Sequence, residues 1–109
     1  MNIRTRTTDP DFVRAFFERE DVAYGDRIQI PGTAAVVTYS DFPKRGAFGV
    51  SSEVSLILTF AGGVASSLVA SWLYNKLSGK VGMLTIDRTE VKVDRDEIHI
   101  AIERIAGSK

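Results

Sequence analysis

Hydrophobic and polar positions change period several times along this chain, and each change marks an element. Residues 2–8, NIRTRTT, alternate Arg with Ile and Thr, which predicts a short strand with one solvated face. In TDPDFVRAFFERED, Thr8 or Asp9 supplies a cap, Pro10 suits a first turn, and Asp11 lies near the positive end of a helix dipole. The spacing of Phe12, Val13, Phe16 and Phe17 then predicts a helix with Phe16 and Phe17 in the core. RIQIP alternates Ile28 with Ile30 and stops at Pro31-Gly32, and a second β-rich run, AAVVTYS, follows at 34–40. DFPKRGAFGVSS, residues 41–52, reads as a loop.

The final third, MLTIDRTEVKVDRDEIHIAIERI, keeps period-two spacing at Leu84 and Ile86, at Val91 and Val93, and at Ile98, Ile100 and Ile102. With Asp94 to Asp96 as the reversal, this predicts an antiparallel meander with one buried face. His99, the only histidine, then falls on the opposite face beside Glu97, Ala101 and Glu103 as an exposed strand residue. A metal ligand or general base needs partners, and the sequence announces none for it.

No charged side chain occurs from Val54 to Asn75. As one helix these positions reach ~33 Å, close to the hydrocarbon thickness of a bilayer. On a helical wheel, Leu56, Phe60, Val64, Leu68 and Trp72 form one bulky row and Ile57, Ala61, Ala65, Val69 and Leu73 the next. Ser55, Thr59, Gly62, Gly63, Ser66, Ser67, Ala70 and Ser71 occupy the other side, all small and none charged. Three situations produce such a pattern. In a bilayer, the small side lets another helix approach closely. In a layered soluble fold, the bulky rows pack on a sheet. In the third, VSLILTF is a buried strand and Ala61-Gly62-Gly63 turns the chain into a shorter helix, 64–77.

Five Ser or Thr and two Gly make membrane insertion marginal, and the cations at Lys44, Arg45, Lys76 and Lys80 assign no orientation. The isoleucine face of the meander and the Phe stripe also need a cover that only residues 54–77 supply. The expectation adopted is therefore a single α+β domain over residues 1–109: a short N-terminal strand and helix, and a long apolar helix packed on a mainly antiparallel sheet ending in a C-terminal meander. A transmembrane helix over 54–75, in an inner-membrane protein, is the alternative. An uncharged small-residue face suggests cover in the working assembly, and self-association through Thr59, Gly62, Gly63, Ser66, Ser67, Ala70 and Ser71 is the simplest.

Composition narrows the function classes. At 109 residues the chain buries roughly 65% of its unfolded surface. Fourteen basic against fourteen acidic residues leave no net charge, so no global field draws in nucleic acid, and nucleic acid is not an expected partner. The absence of cysteine removes a disulfide framework and a thiol nucleophile, and no signal-peptide pattern opens the chain, which points to the cytoplasm. Neither GxGxxG, GxxxxGK[ST] nor GxSxG occurs, and the carboxylates at Asp94, Asp96 and Glu97 lack calcium-loop spacing. Lys44-Arg45 between Phe42 and Phe48 reads as solvated loop charge, with an anion or a partner's carboxylates as the functional alternative. Neither catalytic, metal nor cofactor residues are assigned.

In chain order, DPDFVRAFF, PKRGAFG, SLILTFAGGVASSLVASWLYNKL and MLTIDRTEVKVD resemble the effector-associated constant component family of bacterial conflict systems. That family's pattern is a short strand, a helix opening near Asp-Pro, a Gly-containing loop, a small-residue-rich apolar helix ending near Trp-Leu, and strands around a polar turn. The corresponding residues are Asp9-Pro10, Gly46 to Gly49, Gly62-Gly63 and Trp72-Leu73. Family helices usually run into several arginines, whereas this one reaches Asn75 and Lys76. The resemblance implies a non-catalytic adaptor, a constant partner of exchangeable effector domains and signalling ATPases in prokaryotic immunity.

Overall fold

The computed structural model describes residues 1–40, 52–60 and 65–106. Alternation in the first strand, β1 (Asn2–Thr7), sets the orientation of everything else: Ile3, Thr5 and Thr7 are buried, while Asn2, Arg4 and Arg6 are exposed. After β1 come α1 (Phe12–Phe17), β2 (Arg27–Gln29), β3 (Ala35–Ser40), β4 (Ser52–Phe60), α2 (Ser66–Leu77), β5 (Met83–Ile86), β6 (Thr89–Val91) and α3 (Arg95–Ala106). The six strands form one sheet in the order β2-β3-β4-β1-β5-β6, with every neighbouring pair antiparallel. Because β4 and β5 both run against β1, they are parallel to each other, and α2 carries the chain between them as a split βαβ unit.

One face of the sheet carries Ile3, Val37, Val54, Leu56, Leu58, Leu84, Ile86 and Val91 into a common core. Against it pack Phe12, Phe16 and Phe17 from α1, Val69, Leu73 and Leu77 from α2, and Ile98 and Ile102 from α3. Two threonines share this buried face and are hydrogen-bonded there. The Thr7 hydroxyl donates to the Lys80 carbonyl at 2.6 Å and accepts from the Asp9 N–H at 3.0 Å, while the Thr5 hydroxyl lies 3.5 Å from the Val54 carbonyl. Among the described residues, no buried side-chain nitrogen or oxygen lacks a partner, as the desolvation cost of an unpaired polar group requires.

The long helix expected over 54–75 is not formed. Residues Ser52–Phe60 are a strand and Ser66–Leu77 a helix of twelve residues. Val54, Leu56 and Leu58 are buried at period two while Ile57 points away, 37% exposed. The β-branched and aromatic residues of this stretch suit a central strand, where backbone pairing on both edges outweighs a helical alternative. Among the described residues, no helix is long and apolar enough to cross a membrane, so the transmembrane reading of 54–75 is not supported by any such element. The loop expected at 41–52, with Lys44-Arg45 and Gly46 to Gly49, lies outside the described residues except for Ser52, which opens β4.

The C-terminal meander is also corrected. A hairpin, β5–β6, is present with Ile86 opposite Thr89, but the following segment is helical. Ile98, Ile102 and Ile105 recur at helical spacing; the first two are fully buried, Ile105 is half-buried, and Ile100 is about half exposed. Asp94 caps the helix: its Oδ2 accepts the N–H groups of Asp96 and Glu97, each at 3.1 Å. Asp96 and Glu97 place negative charge in the first turn, where the dipole favours it.

The turns explain two further boundaries. At Ile30–Thr33 the Thr33 N–H donates to the Ile30 carbonyl at 3.1 Å, with Pro31 in the second position and Gly32 at φ 78°, the pattern of a type II turn. Between β5 and β6, Asp87 and Arg88 have φ of 47° and 76°, so both central positions are left-handed, as a two-residue type I′ hairpin demands. Neither is glycine. Asp87 gains a compensation, since its Oδ1 accepts the Asn2 N–H at 2.7 Å.

Two stability outcomes follow from these local geometries. Asp94→Ala should lower unfolding free energy by about 1 kcal/mol in denaturant titration, and Asp94→Asn should recover most of it. Arg88→Gly should raise it by about 0.5–1 kcal/mol, because glycine holds the left-handed conformation without the Cβ clash, less the entropy it adds to the unfolded chain.

Candidate interaction surface

The side chains opposite the core form a second surface. From β2 to β6 it presents Arg27 and Gln29, then Val36, Thr38 and Ser40, then Glu53, Ser55, Ile57 and Thr59, then Asn2, Arg4 and Arg6, then Met83 and Thr85, then Glu90. All three helices contribute their apolar side chains to the core on the other side. Arg4, Arg6, Arg27, Gln29, Ile57, Thr59, Met83 and Glu90 are exposed, so none of the described helices covers this face.

Register aligns the residues in rows across the strands. Glu53 lies opposite Arg6, which in turn lies opposite Met83. In the next row Ser40, Ser55, Arg4, Thr85 and Glu90 follow one another. Beyond it come Arg27, Thr38, Ile57 and Asn2. At these strand positions three arginines and two glutamates are interspersed with Val, Ile, Met, Thr and Ser, and Arg4, Arg6 and Glu53 stand on the two central strands. Aromatic side chains are absent from this described face, since Tyr39 and Phe60 fall in register with core residues. A stacking platform for bases needs exposed rings on the sheet, and none of the described outward positions supplies one.

Of the seven residues expected to make one small-residue interface, the five that are described do not share a face. Thr59 stands on β4 in the outward row, opposite Val36. Ser66, Ser67, Ala70 and Ser71 belong to α2, and Gly62 and Gly63 lie outside the described residues. Ala70 is fully buried in the core beside Val69 and Leu73; Ser67 is exposed, Ser66 and Ser71 are half-buried. The helical wheel is also rotated from its expected phase, with Leu68 51% exposed. A wheel drawn through β4 carries the wrong period into α2, which is why sequence reasoning misplaces the surface. The signal that would have found it is present: Asn2, Arg4 and Arg6 already mark the solvated side of β1.

Ser66, His99 and Glu103 are a second cluster, one the sequence does not announce because local alternation puts His99 on a strand. The His99 Nε2 lies 3.3 Å from the Ser66 Oγ and 3.5 Å from Glu103 Oε2. Nucleophilic catalysis by such a trio places the hydroxyl on one ring nitrogen and the carboxylate on the other, so that the acid orients the base. Here both partners meet Nε2, and the arrangement ties the start of α2 to α3 without that relay. Among the described residues, no group of three or more His, Asp or Glu could hold a metal ion.

Lys76 fixes α1 against α2. Its Nζ donates to Glu18 Oε2 at 2.7 Å and to the Ala15 carbonyl at 3.4 Å, and it lies 5.4 Å from the Trp72 ring centroid. Phe16 meets Trp72 edge-on at 5.3 Å in the same place. The hydrogen bond and charge of Lys76 hold the Glu18 carboxyl below the usual range. A lowered folded-state pKa stabilises the fold above the unfolded value, and that contribution is lost as pH falls through the folded one.

Comparison of the chain with family models, curated proteins and solved structures gives no match.

Thermal melts should register the Glu18 contact. The stability advantage of the wild type over Glu18→Gln is expected to shrink as pH is lowered from about 6 to about 3; a difference independent of pH would contradict the assigned role of Lys76.

Proposed function

We propose that this protein is a non-enzymatic interaction module that self-associates through the face of its sheet opposite the described helices. The observation that carries the reading is the exposure of Ile57 and Met83 on a six-stranded sheet face on which no described helix packs. Two-layer folds bury one side of an antiparallel sheet and leave the other solvated, normally with polar outward positions. This face instead mixes Val36, Ile57 and Met83 with Thr and Ser on β3, β4 and β5, and carries charge at Arg4, Arg6, Arg27, Glu53 and Glu90. A surface that mixes exposed apolar side chains with charges of both signs on neighbouring strands has the composition of a non-obligate protein interface.

The resemblance to the effector-associated constant component family supports an adaptor role, with an effector domain or a signalling ATPase of prokaryotic immunity as the further protein partner. The cytoplasm is the compartment that fits such a role. Thr59 remains part of the proposed contact surface, whereas Ala70 serves packing and Ser66, Ser67 and Ser71 belong to the opposite layer.

Sedimentation equilibrium tests the reading. Wild-type protein should show a concentration-dependent mass above that of the monomer, and Ile57→Lys should weaken the association by at least about tenfold. Its side chain points away from the core, so the unfolding free energy should stay within about 0.5 kcal/mol. A monomeric wild type at every concentration, or undiminished assembly of Ile57→Lys, would contradict it.

A further inference from the structure

We infer that two copies pair face to face about a two-fold axis parallel to the strands, lying between β4 and β1, so that Glu53 of each copy meets Arg6 of the other. The inference rests on the self-association proposed above and supplies its geometry. An axis in that direction reverses the strand order of the second copy. With the order β2-β3-β4-β1-β5-β6, β4 then lies over β1, β3 over β5, and β2 over β6.

Charge follows the same reversal. Glu53 and Arg6 occupy one row, on the two central strands, so the axis places each over its opposite in the second copy, twice. Arg27 is on one edge strand and Glu90 on the other, in adjoining rows. Reversal brings these two signs to the same margin as well. Ser40 of β3 meets Thr85 of β5, since both lie in the Ser55–Arg4 row. Facing sheets stand roughly 10 Å apart with strand directions within about 30°, a gap that Arg and Glu side chains bridge between them.

The other in-plane two-fold axis, perpendicular to the strands, gives the opposite result. It lays every strand over its own copy, so an axis through the Glu53–Arg6 row sets Arg6 against a second Arg6 and Glu53 against a second Glu53. Like charges across an interface disfavour that arrangement. Of the two axes that lay the Glu53–Arg6 row over itself, charge thus favours the one parallel to the strands, in an isologous contact where residue i meets j, and j meets i.

Two single reversals and their mixture test this. Arg6→Glu alone and Glu53→Arg alone each set like charges against one another in a homodimer, so each should sediment as a monomer. Of the two variants, the first is acidic at both positions 6 and 53 and the second is basic at both. Mixed in equal amounts they should therefore form a heterodimer, seen by native mass spectrometry. Melting curves check that both chains are folded. Should a reversed chain fail to fold, Arg6→Gln and Glu53→Gln replace them, each expected to weaken the homodimer by at least about tenfold. A wild type that dimerises while single variants dimerise equally well, or a mixture that stays monomeric, would overturn this pairing and leave self-association standing. A monomeric wild type would overturn both.

Discussion

The structure depends on β1 being paired along both edges. Ile3 stands between Leu56 of β4 and Ile86 of β5, and Thr5 between Val54 and Leu84. A central strand satisfies its backbone donors and acceptors through these two ladders. The period-two side-chain phase of β1 is then imposed on both neighbours, because a one-residue slip would turn Val54, Leu56 and Leu58 away from the core. That requirement makes residues 54–60 a strand, confines the helical part of the uncharged segment to α2, and forces the connection from β4 to β5 to cross over β1. The position of the core on one side, with all three described helices packed there, follows from the same lock.

How much of this is readable in the sequence varies with how local the determining signal is. β1, the Phe stripe of α1, the Pro31-Gly32 turn and the Leu84–Ile86 strand rest on neighbours within a few residues, and they appear near where pattern reading puts them. The uncharged segment is different. VSLILTF satisfies both a bulky helical row and an alternating strand, and what decides is a partner strand about fifty residues earlier. A strand, turn and shorter helix is among the patterns the segment allows, but its lack of charge is uniform across the boundary and so favours one long helix. Ile98, Ile100 and Ile102 are ambiguous in the same way. There the local evidence, Asp94 three residues before Glu97 and Ile105 continuing the stripe, favours helix over strand.

The functional consequence is a change of surface. Sorting of bulk around an imagined rod gives a small-residue face, whereas the folded chain puts Ala70 in the core and Thr59 on a sheet. The proposed contact surface moves accordingly, to the outward positions of the sheet, where Arg4, Arg6 and Glu53 stand among uncharged residues of β3, β4 and β5. That surface is assembled from separated sequence segments, so its pattern of charges exists only after the register is known. The Ser66–His99–Glu103 cluster is illegible for the same reason: it joins residues more than thirty positions apart on two helices, one of which alternates like a strand.

Solution NMR on labelled protein tests the central lock most directly. The account predicts cross-strand Hα and amide NOEs linking Ile3 with Leu56 and with Ile86, strand-like carbon shifts through residues 54–60, and helical shifts beginning near Ser66. Uninterrupted helical shifts and sequential amide contacts from Val54 to Leu77, without NOEs to β1, would contradict it.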